Sequence, residues 1–153
     1  MRKINIKLWI VFIFFVTASC SKSPEETEKK YLTNAIEQIA VDSQYQWLVV
    51  LPGLGCHGCI QEGEFFMQEY IDNQQILFVL TKVSSLKILQ QKTEVRISEH
   101  PNIYVDKDNL FAVPSDNNIY PCVIQLKEGK MVKHSFQSPQ NDAFYQLEQI
   151  VKK

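Results

Sequence analysis

The chain has 153 residues, 45% of them hydrophobic, and a formal net charge of -1. This composition is too apolar for a disordered protein, and the length allows one domain plus a targeting segment. The near-neutral charge, without any basic stripe, argues against a nucleic-acid partner.

The N-terminus has the pattern of an export signal. Its basic residues are Arg2, Lys3 and Lys7. An apolar run at residues 8–16 follows, then the small residues 17–19 and Cys20. The run is shorter than the roughly 20 residues that span a bilayer, so it predicts a signal peptide at residues 1–19. A cysteine directly after small residues resembles a bacterial lipobox, in which that cysteine is lipidated.

Two expectations follow from this N-terminus. A lipid anchor at Cys20 would hold the protein in the bacterial cell envelope, facing the periplasm or the cell surface. The alternative is an ordinary secretory signal with an incidental Cys20. Residues 20–30 comprise the lipidated cysteine and a polar segment without periodicity, which we predict to be a flexible linker. The folded domain is then expected at residues 31–153, opening with a helix from Tyr31 to about Val41.

The remainder of the chain alternates between apolar runs and helical patterns. The predicted strands are residues 47–51, 76–80, 102–105, 122–126 and 131–136. The predicted helices are residues 60–71, 84–91 and a last one through residue 151, capped by Asn141 or Asp142. This order predicts an α/β fold in which helices flank a central mixed β-sheet.

The motif Cys56-His57-Gly58-Cys59 lies between the first predicted strand and the helix that follows. Free backbone N–H groups and the helix dipole at such a position favour the thiolate form of the first cysteine. His57, when protonated, would act in the same direction; alternatively it is an exposed loop residue without a partner. Ile60 rather than His follows Cys59, which excludes attachment of a c-type haem.

Two segments resemble the thioredoxin superfamily. The stretch WLVVLPGLGCHGC followed by a helix is similar to that family's strand, C-x-x-C motif and helix. The stretch IYPCVIQLKEGKMV, beginning at Ile119, is similar to its cis-proline segment. The resemblance covers about residues 45–151. The stretch between Cys59 and Pro121 is longer than in a minimal thioredoxin, as in the larger extracytoplasmic, TlpA-like thiol–disulfide oxidoreductases. The resemblance implies a thioredoxin-like fold.

The resemblance also implies roles for individual residues. Cys56 would be the attacking cysteine and Cys59 the resolving one, in a dithiol/disulfide cycle that needs no cofactor. Pro121 would be a cis-proline that shapes the substrate groove, together with His57, Gly58 and Cys122. The implied partners are protein thiols and disulfides, and a membrane redox donor or acceptor.

Four positions depart from the family's pattern. Gly55 replaces the familiar tryptophan before the first cysteine, and Val50 occupies the place of a buried acid. The motif interior is His-Gly rather than Gly-Pro. The direction of exchange therefore does not follow from the resemblance.

Alternatives remain for Cys122 and for the chain as a whole. Cys122 is either a small buried strand residue or a third thiol that competes for the disulfide or helps to bind a metal. The motif cysteines, Cys122 and His57 have ligand types suited to copper or zinc, so a metal-binding module is one alternative function. A non-catalytic thioredoxin-like lipoprotein with a structural disulfide is another.

Overall fold

The computed structural model describes residues 23–152, which form four α-helices around one five-stranded sheet. The helices are α1 (Pro24–Gln38), α2 (His57–Tyr70), α3 (Leu86–Thr93) and α4 (Ala143–Val151). The strands are β1 (Trp47–Pro52), β2 (Ile76–Thr81), β3 (Ile103–Asp106), β4 (Cys122–Lys127) and β5 (Lys130–Phe136). Short 3-10 helices lie at Ile97–Glu99 and Asp116–Ile119.

The sheet is open and mixed, with strand order β3-β2-β1-β4-β5. β1, β2 and β3 are parallel to one another, whereas β4 is antiparallel to β1 and to β5. The predicted α/β fold is confirmed, and its arrangement is thioredoxin-like. Because Val50 pairs with Cys122, the segment that enters β4 lies beside the loop that leaves β1.

The two faces of the sheet are covered by different helices. Val49, Phe66 and Phe78 belong to the core that α2 and α4 close, and Leu48 and Ile36 to the core beneath α1. All six residues of β1 are buried. An unbroken apolar run is typical of such a central strand, because both faces of the sheet are covered.

Helix α1 begins at Pro24, not at Tyr31, so the prediction of a flexible linker is wrong for residues 24–30. The hydroxyl of Ser23 accepts a hydrogen bond from the Glu26 N–H, and Pro24 occupies the first turn. Both features favour a helix start, as do acidic residues in the first turn. Residues 24–30 show no apolar periodicity, because the one residue among them that is buried, Glu28, is charged. Its partners come from distant parts of the chain.

The predicted signal peptide and the predicted lipidation site Cys20 lie outside the described residues. Within residues 23–152, no helix is long and apolar enough to cross a membrane.

Candidate active site

The motif cysteines form a disulfide at the N-terminus of α2, with their Cα atoms 5.4 Å apart. Cys56 is the N-cap residue, and its carbonyl accepts the first helical hydrogen bond from the Ile60 N–H at 2.9 Å. The N–H groups of the first turn have no acceptor within a helix. Their partial positive charge lies next to Cys56 and favours a thiolate there.

The two cysteines differ in their exposure to solvent. Cys56 is half-buried, whereas Cys59 is 5% exposed. Cys56 is therefore the more accessible of the two cysteines to a molecule that approaches from solvent.

The segment before Pro121 packs directly against the motif. The Cys56 N–H donates to the Ile119 carbonyl at 3.0 Å. Gly55 has a φ of +150°, and a Cβ on it would overlap the Ile119 backbone oxygen. This close approach explains the departure at this position, because neither tryptophan nor any other side chain fits there.

Pro121 is buried beside α2. The two are so close that a Cβ added to Gly63 of α2 would lie 3.4 Å from the Cγ of Pro121. Its carbonyl accepts a hydrogen bond from the Gln137 N–H at 2.8 Å. No cis peptide bond occurs within residues 23–152, so the prediction of a cis-proline is wrong. Tyr120 is extended (φ -107°, ψ 145°), which is the conformation preferred by a residue that precedes proline. The trans isomer of such a bond is lower in energy than the cis isomer by about 0.5–1 kcal/mol.

Cys122 belongs to the core beneath α1, whereas α2 packs on the opposite face of the sheet. Its side chain is 2% exposed, and burial raises the pKa of its thiol. The negative charge of Glu28 acts in the same direction. This placement agrees with the interpretation of Cys122 as a buried strand residue, since a protonated thiol on the far face is neither a nucleophile nor a ligand.

His57 and Gly58 both lie on the open surface between the cysteines. A Cβ on Gly58 would meet nothing within 4 Å. Within residues 23–152, no three His, Cys, Asp or Glu side chains converge on a place that could hold a metal ion. The four ligands named for the metal-binding alternative are therefore not assembled into one site.

The site is also lined by two polar residues, Glu62 and Gln137, that sequence reasoning did not identify. An open groove beside the disulfide is lined by the cysteines, Gly58, Glu62, Gln137 and the loop at residues 138–142. The buried amide of Gln137 donates to Glu62 at 2.8 Å and accepts from the Phe144 N–H at 3.0 Å. Glu62 follows Cys59 by three residues, a spacing that places both on one helix face. Nothing in the sequence signals Gln137, because only the tertiary fold brings it to α2.

Comparison of the chain with protein-family models, curated proteins and solved structures gives no match. The fold and the site alone define its class. It is a mixed α/β protein of thioredoxin-like arrangement, with a C-x-x-C disulfide at a helix N-terminus. That arrangement is compatible with thiol–disulfide exchange.

Proposed function

We propose that this protein is an extracytoplasmic thiol–disulfide oxidoreductase that acts on protein substrates through Cys56 and Cys59. The observation that carries the proposal is the unequal exposure of two bonded cysteines at the start of a 14-residue helix, beside an open groove. A purely structural disulfide would gain little there, because so short a loop removes little entropy from the unfolded chain.

The exchange proceeds in two displacements. The Cys56 thiolate attacks one sulfur of a substrate disulfide and forms a mixed disulfide. The other substrate sulfur leaves as a thiolate and takes a proton from water. The Cys59 thiolate then attacks the Cys56 sulfur, the mixed disulfide breaks, and the second substrate thiol is released. The substrate gains two electrons, and the Cys56–Cys59 disulfide forms.

A redox partner must close the cycle. In the reducing direction a membrane donor returns two electrons to the Cys56–Cys59 disulfide, and in the oxidising direction an acceptor removes them from the dithiol. Attachment through a lipid at Cys20 would keep the domain within reach of such a partner. The export pattern before Cys20 supports this location.

A redox titration tests the proposal. The full chain carrying Cys20→Ser is equilibrated in glutathione buffers, its free thiols are alkylated, and the alkylated species are counted by mass. We expect one reversible two-electron transition that involves Cys56 and Cys59. A potential near about -270 mV would indicate a reductant, and one near about -120 mV an oxidant.

The Cys59→Ser variant is the control, because it retains Cys56 but cannot form the internal disulfide. Absence of a reversible transition in the parent chain would overturn the proposal. Retention of a metal ion by the reduced chain in place of that transition would favour a binding module.

A further inference from the structure

A second groove lies between α2 and α4, next to the groove at the disulfide. Its floor contains Phe66 and Phe144, whose rings stack with centroids 4.8 Å apart. Phe65 and Tyr145 also line it, although they are 66% and 58% exposed. Glu62, Gln137 and Asp142 line both this groove and the one at the cysteines, so the two are adjacent. We call the combined surface the α2–α4 groove.

The exposed aromatic side chains of the groove have no core role. Most large apolar residues of the described chain are buried, and those that remain exposed near a groove are candidates for contact with a partner. Tyrosine and other aromatic side chains bury a large area at low entropic cost and are enriched at the centres of interfaces. Phe65 and Tyr145 therefore favour an apolar side chain as the occupant.

The charge of the α2–α4 groove is negative. Within residues 23–152, neither Glu62 nor Asp142 forms an ion pair, and Glu148 at the far end is paired with Lys152 at 3.1 Å. The Glu62 carboxylate is oriented by the Gln137 amide, and Asp142 accepts from the Tyr145 N–H at 3.0 Å. The two unpaired carboxylates complement a cation and repel an acidic segment.

We infer that the α2–α4 groove binds a segment of the partner polypeptide that carries a basic residue and an aromatic or large aliphatic residue close to its reacting cysteine. The inference rests on the proposed thiol exchange and specifies its substrate class. The groove between α2 and α3, lined by Ile60, Val83 and Ile88, does not include either cysteine in its wall. The α2–α4 groove is the one that opens onto the disulfide.

The test compares the reaction rates of the reduced full chain carrying Cys20→Ser with four small disulfides. Three are peptides whose cysteine is bonded to 2-mercaptoethanol: one has Lys and Phe near the cysteine, one has Glu in place of the Lys, and one has Ser in place of the Phe. The fourth is bis(2-hydroxyethyl) disulfide, which is uncharged and too small to fill the groove. Every peptide rate is divided by the rate of the same protein variant with this fourth compound.

We expect the Lys/Phe peptide to react about tenfold faster than either other peptide at low salt, which corresponds to about 1.4 kcal/mol. Its advantage over the Glu peptide should shrink as salt is added, because exposed charges are screened. Phe65→Ser and Tyr145→Ser should remove the advantage over the Ser peptide. Glu62→Gln combined with Asp142→Asn should remove the advantage over the Glu peptide.

Two exposed residues outside the groove provide matched controls. Ile88→Ser removes an apolar side chain that is 57% exposed, and Glu37→Gln removes an exposed charge on α1. Both should leave the peptide preferences unchanged. Since Phe65 and Tyr145 are largely exposed, their substitution should leave the circular dichroism spectrum intact.

The outcomes separate this inference from the function on which it rests. Reaction with bis(2-hydroxyethyl) disulfide but equal rates for all peptides overturns the groove assignment and leaves thiol exchange standing. No reaction with any disulfide overturns both. A dimer in sedimentation that Phe65→Ser dissociates assigns the groove to a second copy of the chain and overturns the inference.

Discussion

Cys56 and Cys59 lie one helical turn apart, but their surroundings differ. Cys56 caps the helix at the edge of an open groove, and Cys59 is buried one turn later. Cys122 lies on the other face of the sheet, where burial raises the pKa of its thiol. We therefore expect the three cysteines to differ in reactivity, and substitution of each one by serine tests this.

We expect Cys56→Ser to abolish exchange and Cys59→Ser to accumulate a mixed disulfide with the substrate. The reason is that the intermediate at Cys56 is resolved only by the neighbouring thiol. Mass spectrometry after reaction with a peptide disulfide and acid quenching measures the trapped species. Cys122→Ser is the control and should retain most of the activity. Normal turnover by Cys59→Ser would eliminate the resolving role.

Gly55 and Gly58 lie on either side of Cys56 in the sequence, and we expect their substitution by alanine to have different effects on the free energy of unfolding. A Cβ on Gly55 would overlap the Ile119 backbone at a φ of +150°, whereas a Cβ on Gly58 meets open space within α2. We expect Gly55→Ala to lower the free energy of unfolding by about 1–3 kcal/mol. Gly58→Ala should leave it equal or raise it by up to about 1 kcal/mol, because alanine is the better helix former. Urea unfolding of the oxidised protein measures both. Equal effects would contradict the close approach of the Ile119 segment.

Helix α1 is tied to the domain through a buried carboxylate. Glu28 is 3% exposed and accepts hydrogen bonds from Ser115 at 2.5 Å and from Asn117 at 2.8 Å. It also contacts His134 Nε2 of β5 at 3.4 Å. Ser115 and Asn117 directly precede the Ile119 segment that binds Cys56. The contact therefore links the N-terminal helix to the wall of the candidate active site.

We expect Glu28→Ala to lower the free energy of unfolding by about 1–3 kcal/mol or more, because its removal leaves buried polar groups without a partner. Glu37→Ala, on the exposed face of the same helix, should change it by less than about 0.5 kcal/mol. Urea titration of both variants provides the comparison. A Glu28→Ala protein as stable as Glu37→Ala would mean that residues 24–30 do not belong to the cooperative unit.

Among the secondary-structure elements, the strands and the helices with apolar faces were predictable from the sequence, whereas the start of α1 was not. β1 and β2 follow from continuous apolar runs, and Asp142 caps α4 as one of the two residues predicted. Glu28 is the one buried residue in the first half of α1, and the residues that donate hydrogen bonds to it, Ser115 and Asn117, are nearly ninety residues away in sequence. Hydrophobic periodicity carries no information about such a contact.

At the level of the whole molecule, a lipid anchor at Cys20 remains a prediction, and it would determine where the domain acts. We expect Cys20→Ala to move the protein from the membrane fraction to the soluble fraction and to abolish labelling by a fatty acid. The reason is that acyl chains, not the described domain, would supply the apolar area for membrane attachment. Cys122→Ala should remain in the membrane fraction. Membrane retention of Cys20→Ala equal to that of the parent chain would contradict lipidation at this cysteine.

The sequence by itself determined the α/β class, the strand order along the chain and the position of the C-x-x-C motif at a helix start. These features are local, because they depend on apolar runs, capping residues and the spacing of two cysteines. Only the tertiary structure decided that Gly55 must lack a side chain and that Cys122 is separated from α2 by the sheet. It also decided that Glu62 and Gln137 meet beside the disulfide. Each of these depends on how distant segments approach one another, and that approach is set by the packing of the two cores rather than by any local pattern.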